Sequence, residues 1–410
     1  MKNLVLSVSS LLLLATQVSA QESQPVVAVN TNNQVAKVST STSYAYTVND
    51  VKNQVNVSYS SNGDAQDDGD SPVRSKTFSK SFSLDKGDKV NLNNQFGSIT
   101  IKIWNKNEIK VDADIKAYAK TDDEAQKLLD DVSISATKSG DLVAYKTNMG
   151  DRNGNWGSNV KNGKTIWRRE VKTHYVVYMP ASYSLTASQQ YGNINMEDFD
   201  GPTSLKVQYG NLVAGNLNNA NNYISIQYGK GNVKDMGGAN IKHQYGGGFT
   251  AGNVANLVVD AQYTSVNVAS VKGATSVKNQ YGSGTTIGSL TGSINANVQY
   301  SNIKVSNLRG NLTSRAQYGK VLIDNIEAGK DVDVDAQYST VNLGFASNYG
   351  GEFEVRTQYG SFNYSSNVTA KREGGDDRGY SSNKNYTGQI GKGGEGKVKV
   401  SLQYNSVSFK

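Results

Sequence analysis

Leu205-Lys206-Val207-Gln208-Tyr209-Gly210-Asn211-Leu212 carries the pattern that decides the fold. Apolar Leu205 and Val207 alternate with polar Lys206 and Gln208, the period of a half-buried strand, and a Tyr-Gly pair then interrupts it. The Gln-Tyr pair recurs with its tyrosine at 191, 209, 228, 245, 263, 281, 300, 318, 338 and 359, and again at 404. The first nine intervals lie between 17 and 21 residues, a period near 19. A fixed period of this size marks an architecture of stacked repeats. The residue after tyrosine is glycine in seven copies and Thr264, Ser301, Ser339 or Asn405 in the others, the chemistry of a tight corner. The expectation is an all-β protein, a β-solenoid (β-helix) of about ten coils, with one short helix in its N-terminal part.

Each copy divides into an inner and an outer side. Leu205-x-Val207, Ile224-x-Ile226 and Val259-x-Ala261 face inward before the corner. Val266-x-Val268, Ile303-x-Val305, Val321-x-Ile323 and Val341-x-Leu343 do so after it. A third apolar position follows at Phe199, Leu217, Met236, Val271, Leu308 and Ile326. Tyrosine lies two residues beyond the inward positions, so period two predicts that it points inward as an aromatic stack or lines the corner. The competing expectation is an exposed strip that stacks on sugar rings. Three residues before each tyrosine stands a polar column: Ser188, Lys206, Ser225, Lys242, Asp260, Lys278, Asn297, Arg315, Asp335, Arg356 and Ser401. In sequence order no two basic residues adjoin, and Asp260 and Asp335 each fall between two of them, as repulsion between stacked like charges requires. Lys206, Lys242, Lys278, Arg315 and Arg356 are therefore the candidate ligand face, and the glutamines share it.

The rest of the chain is read outward from the repeat. Residues 1–20 have the form of a signal peptide: Lys2, an apolar run from Leu4 to Ala15, and Val18-Ser19-Ala20 before Gln21. The expected location is thus the periplasm, the outer-membrane surface or the outside of the cell. The apolar run is too short to span a bilayer, and no transmembrane segment is expected. Residues 21–75 read as a flexible linker, and 76–187 as an N-terminal β region with one helix, where Thr121 and Glu124 form a capping box. Residues 188–364 are the solenoid, 365–395 a surface loop, and 396–410 a terminal coil capping the open end.

The catalytic inventory is thin. The chain has no cysteine, hence no disulfide, thiol nucleophile or lipidated cysteine anchor, and only two histidines. His243 occupies an inward slot, and His174 has no second histidine to form a metal pair. Gly391-x-Gly393-x-x-Gly396 lacks the strand-to-helix context of a dinucleotide site. Asp64–Asp70 resembles a calcium loop without its closing glutamate. No cofactor or metal is expected. Asp331, Asp333 and Asp335 share one strand face, and β-helix enzymes that cleave polysaccharides use clustered carboxylates. Adjacent copies supply Lys and Asn instead of further acids, so a solvated face is expected, with a polysaccharide lyase or hydrolase as the alternative. The basic residues are too dispersed for nucleic acid, and the runs too short for a membrane barrel. A formal charge of +7 suits mild attraction to an anionic polymer.

Further motifs bear on family. Ile101-x-Ile103-Trp104-Asn105, then Ile109-x-Val111, precede one Asp- and Leu-rich helix. Tyr178, Met179 and Pro180 open the coils with their Tyr-Gly-x-Ile/Leu corners. On these features, residues from about Phe82 to Phe362 resemble the bacterial "putative adhesin" domain family, a β-solenoid of the toast-rack type. The resemblance implies an envelope-associated, non-enzymatic protein, binding a cell-surface glycan, an envelope polymer or another protein. It carries over no catalytic residue. The Gln-Tyr pair in every coil and the long N-terminal segment depart from the family pattern.

Overall fold

The computed structural model describes residues 72–150, 156–161, 164–373 and 382–410. The signal peptide, the linker up to residue 71 and the Asp64–Asp70 loop lie outside the described residues.

The described residues begin with β1 (Val73–Ser83), β2 (Lys89–Ile103), β3 (Glu108–Tyr118), α1 (Asp122–Asp130), β4 (Ser133–Ser139), β5 (Leu142–Asn148), β6 (Gly157–Lys161), β7 (Lys164–Met179) and β8 (Ser184–Met196). Strand pairs then follow, one before and one after each corner: β9 and β10 (Thr203–Gln208, Leu212–Ala214), β11 and β12 (Asn222–Gln227, Lys230–Val233), β13 and β14 (Ala239–Gln244, Gly248–Val254), and β15 and β16 (Leu257–Gln262, Ser265–Val271). The series continues with β17 and β18 (Thr275–Gln280, Gly284–Leu290), β19 and β20 (Ile294–Gln299, Asn302–Leu308), β21 and β22 (Leu312–Gln317, Lys320–Ile326), and β23 and β24 (Val332–Gln337, Thr340–Phe345). The last strands are β25 (Gly351–Tyr364), β26 (Val368–Glu373), β27 (Asn383–Ile390) and β28 (Gly396–Phe409). The described residues form an all-β solenoid with one helix.

From β8 to β21 each strand before a corner pairs in parallel with its counterpart one coil on, as Ile224 does with Leu205 and Ile241. Strands after the corner form a second parallel sheet. The third apolar column runs through Phe199, Leu217, Met236, Val254, Val271, Leu290, Leu308 and Ile326 in unbroken parallel pairing. Together the columns enclose the core: Leu205, Ile224, Ile241, Leu257, Val266, Ile303, Leu308 and Val321 are fully buried. Each such side chain contributes about 1.5–3 kcal/mol by leaving water.

Stacking starts earlier than the Gln-Tyr spacing implies. The first half of β2 pairs with β8 at 184–190 and its second half at 192–196, with Phe96 at the corner. β2 is therefore a complete first rung. Beneath it lie β5 under its first half and β7 under its second. α1 has Thr121 at its N-cap, whose hydroxyl accepts from the Glu124 amide at 3.3 Å. Its Ala125, Leu128 and Leu129 pack with Ile115, Ala117 and Val171 in a second apolar cluster.

Two expectations at the C-terminal end need correction. Residues 365–395 contain β26 and β27, which pair with each other, while β27 runs antiparallel along β25. The described part of this stretch is thus an added hairpin. The terminal coil is not outermost: β28 lies between β23 on one side and β25 on the other, parallel to both. Its Val398, Val400, Leu402, Val407 and Phe409 are buried there. The outer edge is covered by the hairpin, whose antiparallel direction ends the parallel stack.

Candidate functional site: an exposed aromatic ladder

The tyrosine column is not in the core, contrary to the expectation from period two. Tyr191, Tyr209, Tyr228, Tyr245, Tyr263, Tyr281, Tyr300, Tyr318, Tyr338 and Tyr359 are 42–58% exposed. The backbone explains it. All eleven Gln-Tyr tyrosines and Phe96 have φ between +48° and +58°. One left-handed residue turns the chain through the corner and throws its own side chain outward, ending the alternation that held two residues earlier. Main-chain pairing continues through the turn, with the Tyr209 amide donating to Gln227 O at 2.9 Å and Tyr263 to Gln280 O at 3.0 Å.

The small residue after tyrosine has a different task from the one first assigned. The corner is the tyrosine; the glycine permits close approach of coils. A Cβ at Gly229 would stand 1.7 Å from Gly210 O, and one at Gly192 1.7 Å from Gly97 O. At Thr264 and Ser301, which carry side chains at this position, the side chain is buried and meets an inward polar partner. Thr264 lies 3.1 Å from His243 Nδ1, and Ser301 Oγ donates to Asn279 Oδ1 at 2.9 Å.

His243 is fully buried, as expected of an interior histidine. Its Nε2 lies 3.1 Å from Gly229 O, a carbonyl that only accepts, so Nε2 carries the proton and Nδ1 accepts from Thr264. Burial pushes its pKa below the ordinary histidine value, against a smaller upward pull from the Gly229 carbonyl. His174 Nδ1 lies 2.9 Å from Ser98 Oγ on the neighbouring strand.

Twelve rings form one continuous stack. Phe96 lies on Tyr191, the series climbs rung by rung to Tyr338, and Tyr404 then separates Tyr338 from Tyr359. Centroid separations run from 4.6 to 5.3 Å and interplanar angles from 1° to 16°. Hydrogen-bonded strands set this spacing, and it exceeds the carbon contact distance of about 3.6 Å. Parallel rings close the difference by sliding past one another by about 3 Å, the preferred offset stack. Both faces of each interior ring are consequently covered. Sugar rings therefore have no free aromatic face along the ladder; only ring edges and hydroxyls meet solvent. Tyr338 has its phenol raised above the usual tyrosine range, first by partial desolvation and then by the neighbouring Tyr404 and Tyr318 phenols.

Two further columns border the ladder on the sheet that precedes the corner. The glutamines link side chain to side chain from Gln190 to Gln208 (2.9 Å) to Gln227 (3.0 Å), from Gln280 to Gln299 to Gln317 (both 3.0 Å), and from Gln403 to Gln358 (3.1 Å). Lys206, Lys242, Lys278, Arg315 and Arg356 are all exposed on the same face. Strand register orders their column as Lys206, Ser225, Lys242, Asp260, Lys278, Asn297, Arg315, Asp335, Ser401 and Arg356. Asp260 does lie between two lysines. Asp335 lies between Arg315 and Ser401, because β28 intervenes before Arg356. From Lys206 to Arg315 successive basic residues stand two rungs apart, roughly 10 Å, just beyond the Debye length of about 8 Å at physiological salt, and Arg356 stands three rungs from Arg315.

The acids on β23 do not converge with others. Asp331, Asp333 and Asp335 are exposed, and the last two face Thr313 and Lys399, and Arg315 and Ser401, on adjacent strands. At this end a shallow cleft of about 620 Å³ opens beside the hairpin, lined by Asp335, Gln337, Arg356, Glu373, Asn385 and Ser401 among others. Among the described residues no group of three or more His, Asp or Glu is arranged to hold a metal ion. No helix among them is long and apolar enough to cross a membrane, which says nothing of crossing by strands.

No family model matches the chain, and no curated protein matches it. Similar solved structures include a "putative adhesin" from Parabacteroides distasonis, 13% identical with a TM-score of 0.27, the match covering 65% of this chain and 93% of that one. A "putative cell adhesion protein" from Clostridium sporogenes is 11% identical with a TM-score of 0.17, covering 82% and 99%. A "putative lipid binding protein" from Parabacteroides distasonis is 8% identical with a TM-score of 0.23, covering 83% and 98%.

Proposed function

We propose that this is an exported, adhesin-like protein that holds an elongated envelope polymer or surface glycan along one outer face of its solenoid, without transforming it. The observation that supports this most is continuity: charged and amide columns run in register over ten rungs, and no reactive groups converge on one point of them. Such a surface suits a ligand bound by many weak repeated contacts. Lys206, Lys242, Lys278, Arg315 and Arg356 are its cationic contacts, the glutamine amides its neutral ones. The form of residues 1–20 supports export. Attraction to an anionic polymer would weaken with salt, since the contacts are exposed.

The test is binding of the purified chain to peptidoglycan and to acidic and neutral glycans, with product analysis in parallel. Saturable binding with intact polymer is expected. Release of reducing or unsaturated ends overturns the proposal in favour of a polysaccharide-active enzyme. Changing Lys242, Lys278 and Arg315 together to Ser should weaken polymer binding while leaving thermal unfolding unchanged, because all three side chains are exposed.

A further inference from the structure

We propose that the tyrosine ladder is a self-association surface, and that its partner is the ladder of a second copy of this chain. This goes beyond polymer binding, which uses the neighbouring face.

Ring faces are covered by adjacent rungs, so a partner meets only ring edges and hydroxyls. A phenol hydroxyl both donates and accepts, so a row of them is complementary to another row of the same kind. The ladder itself carries no charge; the basic column stands three residues back along each strand.

Pitch then selects the partner. The rungs repeat at 4.6–5.3 Å because hydrogen-bonded strands set them. A ligand whose repeat differs by half an ångström falls a full rung out of phase over about ten coils. An extended peptide, advancing about 3.3 Å per residue, does not match. Another stack of hydrogen-bonded strands does, and a second copy repeats the same irregularities of spacing. Each copy presents one ladder, so pairing closes at two chains under a two-fold axis.

The area is sufficient. Ten tyrosines at 42–58% exposure present about 900 Å² between them, taking about 200 Å² for a whole side chain. One partner's share of a stable interface is about 800 Å². Backbone conformation adds a second, independent sign. A bulky side chain at positive φ is an outlier, costly at each position, and here it recurs at every corner where Asn or Gly would sit with less strain. Strain held on an exposed column points to a use for that column.

The experiment is sedimentation of the full mature chain across a concentration series, beside two variants. Tyr245→Asn, Tyr263→Asn and Tyr281→Asn combined removes three central rungs while keeping a residue suited to the left-handed corner. The same three positions changed to Phe keep the stack, as Phe96 does, and remove only hydroxyls. The wild type is expected to dimerise. The Asn variant should weaken dimerisation by more than about tenfold, as loss of clustered interface aromatics does. The Phe variant should fall between, with both variants still unfolding cooperatively from a folded state. A wild type that stays monomeric overturns the proposal, as does a dimer unaffected in a folded Asn variant. The triple Ser change at Lys242, Lys278 and Arg315 should leave the dimer intact. If the Asn variant instead loses polymer binding, self-association is refuted and the ladder belongs to the polymer site.

Discussion

Removing a single rung separates an exposed strained ladder from a buried aromatic stack. Tyr263 contacts Tyr245 at 5.0 Å and Tyr281 at 5.2 Å, each near-parallel at 14°. Two offset contacts are worth about 0.5–1.5 kcal/mol each, so deletion of the ring costs about 1–3 kcal/mol. Against this stands φ = +54° at the same residue, a conformation costing roughly 1–2 kcal/mol for most side chains and less for Asn. Tyr263→Ala loses the contacts and keeps the strain, so it should destabilise by about 1–3 kcal/mol. Tyr263→Asn loses the same contacts and relieves strain, so it should fall within about 1 kcal/mol of wild type. Tyr263→Phe should be neutral. Leu257→Ala, in the same coil and fully buried, should cost about 2–5 kcal/mol. Urea unfolding with m held constant reads all four. A Tyr263→Asn cost equal to that of Leu257→Ala would refute the exposed-ladder account, and equal costs for Asn and Ala would refute the strain term.

His243 is buried neutral with a lowered pKa. The unfolded chain takes up its proton first, so stability should fall as pH drops below about 6.5, by at most about 1.4 kcal/mol per unit. His243→Asn, which copies Asn279 at the matching slot, should flatten that slope in melting curves taken between pH 7.5 and 5; an unchanged slope locates the effect elsewhere. Gly229→Ala sets a Cβ against Gly210 O at 1.7 Å, and should destabilise by about 3 kcal/mol or more in the same urea assay. Ending the chain at residue 395 removes β28 and bares the facing edges of β23 and β25, so light scattering should report aggregation. A synthetic peptide of residues 396–410 should suppress it.

The stacked repeat, its inner apolar columns and the capped helix were legible because each follows from local rules. Alternation at Leu205 and Val207 names the inward face, and Thr121 with Glu124 marks the helix start. The direction of tyrosine was not. Period two assumes a continuous strand, and nothing in the letters Gln-Tyr-Gly places the left-handed turn on the tyrosine, where bulky residues are rarely found. The glycine drew attention to itself as a corner, although coil-to-coil distance is what demands it. Phe96 was the available clue: Gln95-Phe96-Gly97 matches the later corners with one aromatic exchanged, and reading it so would have added the first rung. The position of β28 leaves still less trace. Parallel pairing is equally good with any coil, so the order of rungs is set by the hairpin's reach and not by the repeat. The candidate cationic face was legible as an exposed column, but the neighbour of Asp335 was not, for the same reason.

That placement of β28 has a consequence for how the chain is made. A solenoid emerging from its N-terminus can add each coil to the one just completed, with only neighbouring contacts to find. Here the process halts after β24. β25 and its hairpin must wait without their lower neighbour until the last fifteen residues have been synthesised, and those residues join partners 45 to 66 positions earlier. Closure therefore waits on contacts of long sequence separation, the slow kind.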